Sequence, residues 1–263
     1  MATNRDDVLA ELAVRVAATS SGFTLPAALP ASGMSMLKEW LGEEVKAQRT
    51  ANPNAMSVAT IDADGTLSNR IVLCRGVDVE VGSITFFTNY RGRKGRALLR
   101  EGWEKATVSG AGAPTPQQAA ACFHWDASDR QARVEGLVMP CSAAASDAYF
   151  SARRWESRLA AWASDQSDPI RSREALLAKL GGVCEKLKLD PQELLERGND
   201  VVIPRPAHWG GFNLFARSVE LWMGGPGRMH DRAVWRRAIS MEEVRAGGGA
   251  LATKAWNSTR LQP

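Results

Sequence analysis

Two arginines flank a histidine near the C-terminal end of the 263-residue chain, in the run Arg228-Met-His-Asp-Arg232. Guanidinium groups carry fixed charge and paired donors, and imidazole titrates near neutrality, so Arg228, His230 and Arg232 suit an anionic or electron-rich aromatic ligand. They follow Gly224-Gly-Pro-Gly227, a turn composition, and before it Ser218–Met223 alternates Val219 and Leu221 with Glu220 and Trp222 as a strand does. If the chain resumes as a strand, its period of two puts all three side chains on one face. A solvated basic strand has the same pattern.

Two further groups invite phosphate. Asn89-Tyr-Arg-Gly-Arg-Lys-Gly-Arg96 leads into a helix that includes Ala97, Leu98 and Leu99, so Arg93 and Lys94 sit where backbone N–H donors and the helix dipole add to side-chain charge. Tyr149, Arg153 and Ser157 are spaced by four behind Ser146, a candidate N-cap, and on one continuous helix they converge on one side. From spacing alone, a solvated helix face is the commoner origin of either pattern.

The elements that position these groups follow from periodicity and turn residues. Helices are expected over Asp6–Ala18, with Val8, Leu9, Leu12 and Val16 apolar, and over Met34–Arg49, with Leu37, Trp40, Leu41 and Val45 inward. A loop joins them. Ala55–Ile61 and Leu67–Arg75 form a hairpin around Asp62-Ala-Asp-Gly65, Ser83–Thr88 is a third strand, and Cys122–Trp125 and Gln131–Val138 add two more. Ser109–Ala121 has low complexity and is expected as a surface insertion without chemistry. The helix from Ser146 would bury Leu159, Ala160, Trp162 and Ala163. Another reaches about Leu187 through Leu176, Leu177, Leu180 and Val183, a short one covers Leu189–Asp200, and Trp256–Pro263 closes as a strand. The set predicts an α+β fold, mainly antiparallel sheet curled into a barrel with peripheral helices. Residues 1–33 form an extension, partly flexible, and 34–263 one domain.

Composition narrows the classes. At 44% hydrophobic and 24% charged residues the chain is globular, and 33 Lys+Arg against 29 Asp+Glu is too mild an excess to imply nucleic acid. Four cysteines and three histidines show no metal-type spacing, which predicts reduced thiols, no metal and a cytoplasmic setting. No apolar run approaches the roughly 20 residues of a membrane span.

The ordered motifs Asn54-Ala-Met56, Arg70-Ile-Val-Leu73, Phe87-Thr-Asn89, Arg93-Lys94, Arg130-Gln131, Tyr149-Phe150, Arg153, Ser157, Ala161-Trp162, Gln166-Ser167, Trp209-Gly-Gly-Phe212, Arg228–Arg232 and Arg260-Leu-Gln-Pro263 resemble the pyridoxine (pyridoxamine) 5'-phosphate oxidase family over residues 34–263. The resemblance implies an FMN-binding split barrel working as a homodimer, with FMN between subunits. It implies FMN contacts at Arg70, Ile71, Val72, Leu73, Phe87, Thr88, Arg93, Lys94, Gln131, Gln166, Ser167, Trp222 and Arg232. It also implies a substrate-phosphate site at Arg75, Tyr149, Arg153 and Ser157, with Arg228 and His230 at the pyridine ring as the catalytic pair. The implied reaction turns pyridoxine 5'-phosphate or pyridoxamine 5'-phosphate into pyridoxal 5'-phosphate by hydride transfer from C4' to flavin N5, and O2 becomes H2O2.

The chain departs from the family at Arg75, where a lysine is usual, and at Gly92, where a serine is usual. Ser109–Ala121 and the longer Lys186–Asp200 connection read as surface additions. The rival expectations are an FMN oxidase of another substrate such as a phenazine precursor, a flavin or pyridoxal phosphate carrier without turnover, and a basic nucleic-acid module.

Overall fold

The computed structural model, which describes residues 4–19, 24–100 and 114–263, is organised by nine strands. These are β1 (Ala55–Ile61), β2 (Leu67–Leu73), β3 (Gly76–Asp78), β4 (Ser83–Asn89), β5 (Gln117–Trp125), β6 (Arg130–Pro140), β7 (Trp209–Met223), β8 (Asp231–Arg236) and β9 (Asn257–Leu261). They make one sheet in the order β2-β1-β5-β6-β7-β4-β3, with β8 on β7 and β9 on β8. Strand β7 is its spine. One edge runs along β6, and the other is shared, Trp209–Phe215 pairing with β4 and Ser218–Met223 with β8. The register with β6 shifts at Glu135/Gly136, where a Cβ on Gly136 would lie 1.9 Å from the Phe215 carbonyl oxygen, so this bulge requires glycine.

The sheet does not close by hydrogen bonds. The chain instead steps from β2, at one end of the sheet, to β3, at the other, across Cys74 and Arg75, whose N–H groups donate to Asn54 O at 2.8 Å and Thr85 O at 2.7 Å. That corner is the split of the barrel. Inside, Met56, Ile84, Phe86, Phe123, Phe212, Leu214 and Leu221 are wholly buried, as their alternation along the strands requires. Each such side chain contributes roughly 1.5–3 kcal/mol of burial.

Helix α1 (Arg5–Thr19) leaves Val8, Leu9 and Leu12 exposed, and Val16's side chain lies outside the described residues. Helix α2 (Gly33–Ala47) is capped by Ser32 and buries Met34, Leu37 and Trp40, whereas Val45 is exposed and Glu44 occupies the inward position beside Arg49. Between them the segment 24–32 is fastened to the sheet: Leu25 is buried, and Trp235 Nε1 donates to Pro30 O at 2.8 Å. Helix α3 (Arg93–Leu99) begins inside the basic run, with Gly92 at its N-cap and Arg93 and Lys94 in its first turn.

Three expectations are corrected. Gln117–Ala121 is not insertion but the first half of β5, paired with β1 and β6; its alanines lack β-branching, and the two neighbouring strands impose the conformation. Residues 109–113 of that expected insertion lie outside the described residues. The single helix from Ser146 is two, α4 (Ala143–Ser151) and α5 (Trp155–Ala163). Ser142 is the N-cap of α4, whereas Ser146 is buried with its Oγ accepting the Gly211 N–H at 3.2 Å, and Asn199 Oδ1 draws off the Trp155 N–H at 2.8 Å to start α5 afresh. In α5, Leu159 and Ala163 are buried while Ala160 is exposed and Trp162 half-buried. Finally, Lys186–Asp200 is more than a surface addition: after α6 (Arg173–Leu187), helix α7 (Pro191–Arg197) packs Leu194 with Leu159, Val183, Val201 and Ile203 in a second small core. A last helix, α8 (Met241–Arg245), has a complete capping box at Ser240 and Glu243.

Candidate active site

A cleft of about 410 Å³ lies among the corner after β2, strand β4, the start of α3 and the α4–α5 break. Arg70, Ile71, Val72, Leu73, Arg75, Phe87, Thr88, Lys94, Tyr149, Arg153, Ser157 and Gln166 all line it, so twelve sequence-predicted residues from five separate stretches converge. Four of them are cationic. None of the described lining residues is acidic.

The cations form two pairs. Lys94 Nζ donates to Gln166 Oε1 at 2.6 Å and Thr88 Oγ1 at 3.0 Å, and burial, then the neighbouring Arg70, pushes its ammonium down to about 8. Arg70 donates to Val58 O at 3.1 Å and Thr60 Oγ1 at 2.8 Å, which fixes its fork; burial lowers its pKa as well. The second pair is Arg75 and Arg153. The Arg75 guanidinium stands 5.8 Å from the Tyr149 ring, and that of Arg153 stands 4.6 Å from the Trp209 ring. Burial first, and Arg75 in addition, lowers the Arg153 pKa against the opposing influence of Tyr149. Arg153 Nη1 is buried with no hydrogen-bond partner. Such a donor is costly unless a ligand supplies the acceptor.

The helix break brings the second set together. Arg153 sits in the non-helical link, with Tyr149 in α4 before it and Ser157 in the first turn of α5 after it. Phe87 stacks on Tyr149 at 3.9 Å and lies near-parallel to Trp209 at 5.6 Å, making an aromatic wall. Sequence reasoning passed over Trp209, Asn89, Ala161 and Ser164 as lining residues. Trp209, Asn89 and Ala161 belonged to the quoted motifs, which was the available signal. Asn89 Nδ2 donates to Ser164 O at 3.0 Å and so joins β4 to the end of α5.

Arg93 and Ser167 do not line the cleft. They meet beside it, the Arg93 N–H donating to Ser167 Oγ at 3.1 Å while the Arg93 side chain pairs with Asp62 at 2.7 Å. A Cβ on Gly92 would fall 2.6 Å from Gln166 Oε1 and 3.3 Å from Gln166 Cβ, so the glycine gives Gln166 its place against Lys94.

Five predicted residues lie elsewhere, in a second cluster. Gln131, Trp222 and Arg232 are direct register neighbours across β6, β7 and β8. The His230 ring is 4.6 Å from that of Trp222, and its Nδ1 accepts the Gly225 N–H at 3.2 Å. Arg232 donates to Glu220 Oε1 at 2.7 Å and Gln262 O at 3.1 Å, and its buried Nε has no partner. The expected single face of Arg228, His230 and Arg232 is not formed. Pro226–Arg228 is a short 3-10 turn with Arg228 exposed at φ 63°, and β8 begins only at Asp231, because Pro226 and the glycines hold the chain out of the ladder.

Among the described residues no helix is long and apolar enough to cross a membrane, and no His/Cys/Asp/Glu group could hold a metal ion. The cleft residues fit a flavin phosphate by their chemistry: partly buried Arg70 and Lys94, with no acidic residue in the lining, beside Thr88 and Gln166.

Residues 41–183 match the pyridoxamine 5'-phosphate oxidase family, and residues 209–263 match the pyridoxine 5'-phosphate oxidase C-terminal dimerisation region. The chain is 40% identical over 221 residues to a pyridoxine/pyridoxamine 5'-phosphate oxidase of Burkholderia cenocepacia (84% of this chain, 85% of that one). It is 39% identical over 235 residues to one of Gluconobacter oxydans (89% and 96%). Among solved structures it is similar to PhzG of Burkholderia lata in complex with tetrahydrophenazine-1-carboxylic acid, at TM-score 0.67 and 25% identity, covering 89% of this chain and 94% of that one. A pyridoxamine 5'-phosphate oxidase-related, FMN-binding protein of Nostoc punctiforme shares the fold at TM-score 0.58 and 15% identity (89% and 100%).

Proposed function

The chain belongs to the pyridoxine (pyridoxamine) 5'-phosphate oxidase family, and from that premise we propose that it oxidises pyridoxine 5'-phosphate and pyridoxamine 5'-phosphate to pyridoxal 5'-phosphate, with O2 reduced to H2O2. The family's cofactor, FMN, is the cofactor here, and when bound it supplies the two-electron acceptor. The observation that carries the reading is the acid-free cleft with its two pairs of cations, which suits two phosphate-bearing ligands, cofactor and substrate.

Arg70 and Lys94 hold the FMN phosphate end, with Thr88 and Gln166 orienting the ammonium. Arg75 and Arg153 bind the substrate phosphate, and Tyr149 and Ser157 add hydroxyl donors. Arg153 Nη1 gains the acceptor it lacks. Phe87 and Trp209 exclude water beside that phosphate and so strengthen each charge interaction. The second cluster completes the cleft of another copy, so the working unit is a homodimer in which Gln131, Trp222 and Arg232 reach the cofactor from the partner side; the matched dimerisation region supports this arrangement. His230 accepts the Gly225 N–H at Nδ1, so in the neutral ring Nε2 carries the proton and donates to the substrate while Arg228 steadies developing negative charge. With the alcohol, substrate and O2 give aldehyde and H2O2; with the amine, one water is consumed and ammonia released.

The test is anaerobic mixing of the FMN-loaded protein with pyridoxine 5'-phosphate. Bleaching of the flavin absorbance that air reverses, with pyridoxal 5'-phosphate formed, is the expected result. A flavin that stays oxidised with both phosphorylated substrates overturns the proposal. Bleaching only by tetrahydrophenazine-1-carboxylic acid selects the second reading, which the similarity to the Burkholderia lata protein favours and the phosphate-binding set of Arg75, Tyr149, Arg153 and Ser157 opposes.

A further inference from the structure

Strand β9 buries almost nothing: four of its five residues are exposed, and Leu261 is only half-buried. Besides its ladder with β8, its attachment is polar. Arg260 pairs with one oxygen of Asp231 and donates to Pro26 O at 2.7 Å, while the other Asp231 oxygen accepts the Leu25 N–H at 2.8 Å. One carboxylate at the start of β8 thereby ties the C-terminal strand and the segment 24–30 together. Its two chain neighbours are His230 and Arg232.

We infer that Asp231 and Arg260 are positioning residues for this second cluster. Their pair seats β9, and the residue that follows β9, Gln262, presents the carbonyl that orients Arg232 at 3.1 Å. Asp231 also fixes the far end of the turn that carries Arg228 and His230. That turn has few anchors of its own, since Arg228 and Met229 are exposed and His230 is held by the Gly225 N–H. A small displacement of such groups is costly to binding and turnover even when the mutated residue touches neither ligand. The inference rests on the functional reading above only for what Arg232 and His230 contact.

The experiment uses the full-length FMN-loaded protein and the variants Arg260→Ala, Arg260→Lys and Asp231→Asn. Three quantities are read: FMN affinity by flavin fluorescence, kcat and KM for pyridoxine 5'-phosphate, and hydrogen exchange over residues 24–30 and 257–263. Arg260→Ala and Asp231→Asn should weaken FMN and raise KM by roughly tenfold or more, with faster exchange in both segments. Arg260→Lys should recover part of each loss. If FMN affinity and KM stay within about twofold while both segments exchange freely, the pair is structural and the inference falls. Should Arg260→Ala not fold, Asp231→Asn, which matches the native side chain in volume and keeps an oxygen for Leu25, carries the same decision. Failure of the wild type to oxidise the substrate would sink the functional reading alone, because FMN affinity and exchange still decide the inference.

Discussion

Lys94 is half-buried beside Arg70, and its ammonium is pushed down to about 8 by burial first and by that guanidinium second. The charge is present below that value and lost above it, so affinity for FMN should fall as pH rises through about 8, and Lys94→Met should bind weakly with a flat profile. Flavin fluorescence titrations across pH 7 to 9.5 check this. The apo protein should respond in the opposite sense. Between about 8 and the ordinary lysine value of 10.5 the unfolded chain binds the extra proton, so Lys94's contribution makes stability rise with pH across that window. Thermal melts of apo wild type and Lys94→Met, compared at the same pH values, isolate it. A phosphate beside the ammonium removes the effect by restoring the proton's preference.

At the scale of elements, the α4–α5 break decides the proposed substrate-phosphate set. A continuous helix would carry Tyr149, Arg153 and Ser157 along one exposed stripe; the break instead turns Arg153 inward over Trp209. Asn199 enforces it by accepting the Trp155 N–H, and the Asn199 carbonyl receives Arg158 Nη2 at 2.7 Å. Asn199→Ala removes a cap-like acceptor and should cost about 1 kcal/mol of stability. It should also raise KM for the phosphorylated substrates more than it lowers kcat, because Arg153 and Ser157 lose their placement while the second cluster is untouched. Melting curves with steady-state kinetics read both effects, and an unchanged KM would show that the break persists without Asn199.

For the whole molecule, the proposed assembly of one site from two subunits predicts complementation. Arg153→Ala damages the cleft and Arg228→Ala the second cluster, so each homodimer should turn over poorly. Mixed after unfolding and refolding together, half the dimers are hybrids with one intact site of two, and about a quarter of wild-type activity should return. No recovery on mixing would place both clusters within one chain's site. The corner at Cys74 and Arg75 matters at this scale too, since it is where the sheet is left open and where the cleft lies.

The sequence by itself determined the strands with clear alternation, the hairpin at Asp62–Gly65 and the helix whose first turn holds Arg93 and Lys94, because these depend on local period and turn chemistry, while most of the cleft-lining residues followed from the resemblance of its ordered motifs to the family. Three things were decided only in the tertiary structure. Gln117–Ala121 reads as filler until β1 and β6 flank it, since alanine states no preference for a strand. The helix break depends on Asn199, some forty positions downstream, and no spacing around Tyr149 announces it. Arg228, His230 and Arg232 alternate in sequence but not in space, because the Gly-Pro-Gly turn delays the ladder until Asp231, and what secures that point arrives from both ends of the chain, at Leu25 and Arg260. Pairings between distant segments fix these features, and a local pattern does not encode them.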